Sequence, residues 1–171
     1  PAILDIKRNR VSEKTFLSDK GFPVPKFWIF NDGCQIQPLV GKTPLMVKTA
    51  TGGYDGKGLY VIRNTVDYEN VKDDLKEEII AEELVPFLKE ISVICARNRK
   101  GDIVLYPVVE NLHKEGILFY TIAPSQISEK AKKKAYDIVS ELAKALGLVG
   151  AVIVEMFLLE NDYIVINEFA P

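Results

Sequence analysis

Four glycines fall within the eight residues Thr51-Gly52-Gly53-Tyr54-Asp55-Gly56-Lys57-Gly58, and no other stretch restricts the fold as tightly. Glycine loses more backbone freedom on ordering than any other residue, so this density suits a chain that needs positive φ or close approach to a ligand. The apolar segments Leu45 to Thr49 before it and Leu59 to Ile62 after it read as strands joined by a long loop. Successive unhindered N–H groups can form a concavity for phosphate oxygens. Lys57 adds a cation there, and Lys48 stands near the end of the preceding strand. The segment is not a Walker loop: Gly53 lies only three residues before Gly56, Gly58 follows the lysine where Ser or Thr is required, and a strand comes next. On these residues alone a phosphate lid and a plain hairpin loop both stand.

The remaining pattern is mostly strands. Ser12 is expected to cap a helix through Phe16 and Leu17 that ends at Gly21, since Pro23 and Pro25 forbid continuation. Lys26 to Phe30 reads as extended, Thr65 to Lys76 as an amphipathic helix and Glu78 to Glu82 as a buried strand. Glu90 to Ala96 and Ile103 to Val109 read as a hairpin turning at Lys100-Gly101, with a further strand over Leu118 to Ile122. Apolar residues Ala131, Ala135, Ile138, Val139, Leu142 and Leu146 recur at helical spacing, so Ser128 to Leu146 reads as a helix closed by Gly147. Val149 to Leu159 and Tyr163 to Phe169 form a last strand pair across Asn161-Asp162. Strands adjacent in sequence predict an α+β fold of antiparallel sheets with packed helices.

Composition excludes several classes of function. The 22 basic and 24 acidic residues are well mixed and sum to −2, which offers no long-range field to a polyanion, so nucleic-acid binding is not expected. The Lys130 to Lys134 run belongs to the helix just described and reads as its solvated face. Apolar runs such as Val149 to Val154 are far shorter than the roughly 20 residues of a membrane span, and no basic-then-apolar leader opens the sequence. Cys34 and Cys95 are lone thiols without metal-site spacing, so a reducing cytoplasmic compartment is the expectation. The sequence opens on Pro1 in an apolar segment and stops at Pro171, and is expected to be a piece of a longer protein.

The last hairpin carries the sharpest geometric expectation. A two-residue turn at Asn161-Asp162 sets Glu160 opposite Tyr163, Leu158 opposite Val165 and Glu155 opposite Glu168. Two carboxylates with Cβ atoms about 5 Å apart repel, and a divalent cation such as Mg²⁺ relieves this while keeping sites for phosphate oxygens and water. Asn167 adjoins the pair and offers an amide oxygen. A shared proton, or another turn length that separates the two, are the alternatives. Glu82-Glu83-Leu84-Val85 leads out of a strand, where backbone groups can meet an adenine edge and a carboxylate a ribose. Glu90 is either a ribose partner or a solvent-facing strand residue. His113 is the sole histidine, so triad hydrolysis has no visible base, and it is either near a ligand or structural.

Lys48, the TGGYDGKG segment, the Glu82 hinge and the Glu155 with Asn167-Glu168 pair together resemble the ATP-grasp superfamily. Asn9-Arg10-Val11 with Glu13-Lys14, Asn111-Leu112-His113 with Gly116-Ile117-Leu118, and Asn167-Glu168-Phe169-Ala170-Pro171 bring the resemblance closer to its N5-carboxyaminoimidazole ribonucleotide synthetases, over nearly the whole chain. The resemblance implies an ATP-grasp fold of two antiparallel lobes, a small lid lobe over about 26–84 and a larger lobe over about 85–171. An N-terminal Rossmann-like domain and a closing C-terminal domain would lie in the remainder of the parent protein, a dimer.

The implied reaction phosphorylates bicarbonate with ATP and transfers the carboxyl group to the amine of aminoimidazole ribonucleotide, with Mg²⁺ as cofactor. Carried over by position, Arg10, Lys48 and Gly52, Gly53, Tyr54, Asp55, Gly56, Lys57 and Gly58 face the nucleotide phosphates, with Lys48 and Asp55 catalytic. Glu82, Glu83, Leu84 and Val85 hold the adenine, Glu90 the ribose, and His113 and Asn167 lie near the nucleotide. Glu155 and Glu168 match the metal ligands, while Tyr54 and Asp55 approach the aminoimidazole substrate. Thr49 and Ala50 depart from the family, which has a basic or amide residue after the lysine. Isolated from its flanking domains, the chain is expected to bind ATP weakly without turnover. Another ATP-grasp carboxylate–amine ligase and a catalytically silent ATP-binding module are the competing readings.

Overall fold

The structure, a computed structural model, describes residues 2–52, 58–114 and 116–171. Two antiparallel sheets form its frame. The smaller contains β1 (Phe27–Phe30), β2 (Leu45–Thr49), β3 (Leu59–Ile62) and β4 (Ile79–Glu83) in the order β1-β4-β2-β3. Its inner residues Leu45, Val47, Ile79 and Ala81 pack with Ile36 and Leu75 and with Tyr68 of α3 (Thr65–Val71). The expected helix over Thr65 to Lys76 stops early: α3 passes into a 3-10 turn, Lys72–Asp74, which delivers Leu75 into the core.

The larger sheet has the order β10-β9-β5-β7-β8, from β5 (Lys89–Arg97), β7 (Val109–Lys114), β8 (Ile117–Ile122), β9 (Gly150–Leu158) and β10 (Ile164–Ala170). The short β6 (Ile103–Leu105) pairs with β5 alone. The expected continuous strand Ile103 to Val109 is thus split around Pro107, which has no N–H for a ladder. Against this sheet lies α4 (Glu129–Ala145), whose buried Ala131, Ala135, Val139 and Leu142 follow the helical period. Ser128 caps it through Oγ, which accepts from the Ala131 N–H at 3.0 Å. Lys132 and Lys133 pair locally, with Glu129 at 3.2 Å and Asp137 at 2.9 Å, on the solvated face the sequence predicts, while Lys130 and Lys134 reach Asp162 of the last turn.

The N-terminal segment departs from expectation. Helix α1 (Ala2–Lys7) was not visible in the apolar pattern, and α2 (Arg10–Asp19) is capped by Asn9 instead of Ser12. Asn9 is extended, and its Oδ1 accepts from the N–H groups of Val11 and Ser12 at 2.8 and 3.0 Å. An extended residue with a short acceptor satisfies the orphan amides of the first turn, so the cap falls three residues before the expected one. A 3-10 segment, Gly33–Leu39, was also missed because Pro38 breaks its apolar period.

The final hairpin corrects the expected turn and preserves its consequence. The connection is a 3-10 turn, Glu160–Asp162, with Asn161 and Asp162 both at positive φ (57° and 56°). Ile164 therefore faces Leu158, where Val165 was expected. A β-bulge between Ile166 and Glu168 then absorbs one residue, Asn167, and returns Glu168 to a position opposite Glu155. The extra turn residue and the bulge cancel in register.

Of the glycine-rich segment, Gly53, Tyr54, Asp55, Gly56 and Lys57 lie outside the described residues. At its C-terminal end, Gly58 has φ +67°, and a Cβ there would lie 2.4 Å from Thr49 Oγ1. Gly58→Ala is expected to destabilise the chain by more than the roughly 1–2 kcal/mol of the left-handed backbone alone. Gly52→Ala, at φ +77° with nothing within 4 Å of its Cβ, should cost only that backbone term. Urea unfolding midpoints of the two variants would rank them.

Candidate functional site

Where the two sheets meet, a cleft of about 220 Å³ opens, and charge is divided across it. On one side a carboxylate serves two ammonium groups. Glu82 of β4 is buried, with Oε2 at 3.1 Å from Lys48 Nζ of β2 and Oε1 at 3.2 Å from Lys14 Nζ of α2. Both lysines also reach the bulge: Lys48 Nζ donates to Asn167 Oδ1 at 3.1 Å and Lys14 Nζ to the Asn167 carbonyl at 2.8 Å. Asn167 thus ties both the smaller sheet and α2 to the larger sheet. Burial pushes the Glu82 carboxyl up, but Lys48 and Lys14 outweigh it and hold the group below its ordinary range. Burial pushes the Lys14 ammonium down and the neighbouring Lys48 adds to this, against the attraction of Glu82. These directions agree: two cations on one anion leave a cationic wall suited to an anion.

Opposite lies the acidic wall. Glu155 of β9 is flanked by Ser92 of β5 and Glu168 of β10. Burial raises its pKa and the neighbouring Glu168 raises it further. Glu168 goes the other way: burial again opposes ionisation, but the ammonium of Lys7, at 2.6 Å from Oε2, holds its carboxyl below the usual range. Lys7 Nζ also donates to Glu13 Oε2 at 2.8 Å, and Glu13 Oε1 accepts the Phe169 N–H at 2.8 Å. Burial keeps the Glu13 pKa raised despite Lys7.

The rim of the cleft is mixed. His113 Nδ1 meets the Glu90 carboxylate at its edge, which joins two residues the sequence left separate. Behind them Asn111 Nδ2 donates to Ser92 Oγ at 2.9 Å and Thr121 Oγ1 to Asn111 Oδ1 at 2.9 Å, which fixes β7 against β5. Phe87 stacks on Phe157 with centroids 4.7 Å apart and planes 9° off parallel, and Met46, Leu59 and Leu84 complete an apolar slot. Glu83 and Val85 line the slot as well, but β4 extends through Glu83, so the expected hinge starts one residue later. The Glu83 N–H donates to the Lys26 carbonyl (2.8 Å) and the Leu84 N–H to the Pro44 carbonyl (2.9 Å). Those amides are spent, and Val85 is left as the donor this segment can turn toward a ligand edge. Glu82 itself faces the lysines.

Arg10 closes the cationic end. Its Nη1 donates to the Thr49 carbonyl at 2.8 Å, and its N–H to the Ala50 carbonyl at 2.8 Å. Thr49, where a departure from the family pattern was expected, is thereby engaged through its main chain, with its Oγ1 also 3.5 Å from Arg10 Nη1. Gly52 and Gly58 flank this point, each at positive φ.

Glu13 and Lys14 entered the sequence reading only through the family resemblance, without a site role, and Lys7 not at all. The signal for two of them was present: Leu17 marks the inward face of α2, and Lys14 and Glu13 lie three and four residues before it, on the same face. Charged residues on the buried face of a helix need partners, and the partners are Glu82, Lys7 and the backbone of β10. Lys7 had no such signal, because its helix was not expected.

Among the described residues no group of three or more His, Cys, Asp or Glu gathers in metal-binding geometry. The acidic wall supplies two adjacent carboxylates whose mutual repulsion is unrelieved on the Glu155 side. That donor set fits Mg²⁺, which binds through one or two carboxylates and keeps water or phosphate oxygens elsewhere.

The ATP-grasp domain family matches residues 15–171. The chain belongs to the ATP-grasp family. Relatives within the family include the N5-carboxyaminoimidazole ribonucleotide synthase of Aquifex aeolicus, 42% identical over 175 residues, which covers 100% of this chain and 47% of that protein. The crystal structure of the ADP complex of an N5-carboxyaminoimidazole ribonucleotide synthetase superposes with a TM-score of 0.90 at 38% identity, over 96% of this chain and 44% of that one. The Aspergillus clavatus synthase in complex with ADP and 5-aminoimidazole ribonucleotide superposes at 0.82 with 26% identity, over 95% and 44%. The expected α+β ATP-grasp fold and the resemblance to these synthases are met. This ATP-grasp chain spans about half the length of the relatives it matches. None of its described helices is long and apolar enough to cross a membrane.

Proposed function

We propose that this chain is the nucleotide-gripping region of an N5-carboxyaminoimidazole ribonucleotide synthetase, an ATP-dependent carbon–nitrogen ligase of purine biosynthesis. The observation that carries the reading is the divided cleft, with Lys48, Lys14 and Arg10 on one wall and Glu155 and Glu168 on the other. A polyphosphate with a divalent cation needs both signs of charge within one site.

In this reading ATP lies with its base in the slot of Met46, Leu59, Leu84 and Val85, its ribose toward the Glu90–His113 pair and its phosphates toward Arg10 and Lys48. Lys48 is held in place by Glu82 and Asn167 and needs little rearrangement to meet a phosphate oxygen. Glu155 and Glu168, with the Asn167 amide beside them, would hold Mg²⁺, which when bound neutralises charge on the transferring phosphoryl group. Gly52 and Gly58 are assigned to the phosphates, and so, outside the described residues, are Gly53, Tyr54, Asp55, Gly56 and Lys57, with Tyr54 and Asp55 also assigned to the aminoimidazole substrate. The γ-phosphoryl group passes to bicarbonate, ADP leaves, and the carboxyl group of the resulting carboxyphosphate is transferred to the amine with release of phosphate. Phosphoryl transfer of this kind rests on positioning and charge neutralisation, so no covalent nucleophile is required.

The lobes are assigned as about 26–84 and about 85–171, with flanking domains supplied by the parent protein, a cytoplasmic homodimer. The test is to graft these 171 residues in place of the matching region of the Aquifex aeolicus relative and measure ADP release. Release that requires both bicarbonate and aminoimidazole ribonucleotide is expected. Release driven equally well by formate, or independent of the amine, would refute the assignment.

A further inference from the structure

Lys7 stands where a metal-site account has no use for it. It lies at the end of α1, ahead of the region matched by the family, and points its ammonium at one of the two carboxylates assigned to the cation. The contact is built rather than incidental. Glu13 is buried and tied to β10 by the Phe169 N–H; Lys7 is tied to Glu13 at 2.8 Å and to Glu168 Oε2 at 2.6 Å. The ammonium also lies 5.9 Å from the centroid of the Phe169 ring. The Lys7 side chain is 22% exposed and that of Glu168 45%, so solvent screens the pair only in part.

We propose that Lys7 is a resident counter-ion of the carboxylate pair, which competes with a divalent cation for Glu168 so that the cation enters together with the nucleotide and not ahead of it. A fixed positive charge on Glu168 Oε2 repels any cation that approaches the Glu155–Glu168 pair. It costs nothing once a polyphosphate has brought further negative charge into the cleft, because the phosphate oxygens then outweigh the ammonium. The ion pair meanwhile neutralises Glu168 in the metal-free protein, where two bare carboxylates side by side would repel.

The inference rests on the assignment of Glu155 and Glu168 to the cation, and the experiment separates the two. Mn²⁺ binding to the chain without nucleotide is followed by the electron paramagnetic resonance signal of the free ion. Lys7→Met should tighten Mn²⁺ binding about tenfold, with a smaller gain at high ionic strength, while Lys7→Arg should bind as the native chain does. With saturating ADP the native and Lys7→Met affinities should converge. Because Lys7→Met leaves Glu13 buried without its cation, the double variant Lys7→Met/Glu13→Gln is measured beside it and decides the matter if the single variant does not melt cooperatively. Unchanged or weaker Mn²⁺ binding in the folded variant overturns the counter-ion role, and an undiminished tenfold gap with ADP overturns the order of entry. Glu168→Gln should abolish Mn²⁺ binding in both backgrounds. If it does so while Lys7→Met has no effect, only the role of Lys7 falls; if Mn²⁺ still binds, the metal assignment falls and Lys7 with it.

Discussion

Glu82→Leu is expected to cost about 3–5 kcal/mol of folding stability, a large share of the total for a domain of this size. The carboxylate is buried with Lys14 and Lys48 on its two oxygens, so its loss leaves two desolvated ammonium groups with only Asn167 to accept from them. The penalty comes from the orphaned charges and not from the bond removed. The triple variant Glu82→Leu/Lys14→Met/Lys48→Met should therefore recover most of the stability, though it abandons the phosphate-facing lysine. Urea unfolding of the three chains settles this, and a loss below about 1 kcal/mol in Glu82→Leu would show that the triad is solvated. The pH dependence follows from the sign of the shift. A carboxyl whose folded pKa lies below its unfolded value of 4.5 contributes stability that is present above that value and is lost as pH falls through the folded pKa. Native chain should thus lose stability below pH 4.5 more steeply than Glu82→Leu does.

Glu168→Gln should have the opposite profile: a large loss of turnover with little loss of fold. In the grafted enzyme, ADP release is expected to fall on the order of a thousandfold, because a neutral amide neither holds a divalent cation nor offsets charge on the phosphates. Folding stability changes little, since the variant gives up the Lys7 ion pair and gains relief of the repulsion against Glu155. In the metal-free chain Glu155 has its folded pKa raised by burial and by Glu168, so it is a destabilising group that costs most once pH exceeds the folded pKa. Glu168→Gln should flatten that decline, read as thermal unfolding midpoints from pH 4 to pH 8, and Mg²⁺ added together with ADP should flatten it in the native chain alone. Turnover that survives the substitution would remove Glu168 from the metal site.

Both experiments turn on residues that the sequence exposed unequally. Glu155 and Glu168 could be paired from chain position because strand partners obey a simple count from the turn. The count succeeded through two offsetting errors, a turn one residue longer than expected and a bulge at Asn167. Neither is readable from residue type, since Asn and Asp tolerate several turns and a bulge is chosen by what the strand must reach. Here it reaches Lys14 and Lys48, which bind the Asn167 carbonyl and side chain.

The sequence by itself determined the glycine-bounded strand pair, the capped and closed α4 and the α+β order of elements. Each of these depends on local backbone preference or on periodicity within a single element. Only the tertiary structure decided which polar groups meet: Lys14 with Glu82, Glu90 with His113, and Lys7 with Glu13 and Glu168. Those partners lie on elements far apart in the chain, and a buried charge shows its residue type in the sequence but not the opposite charge that neutralises it.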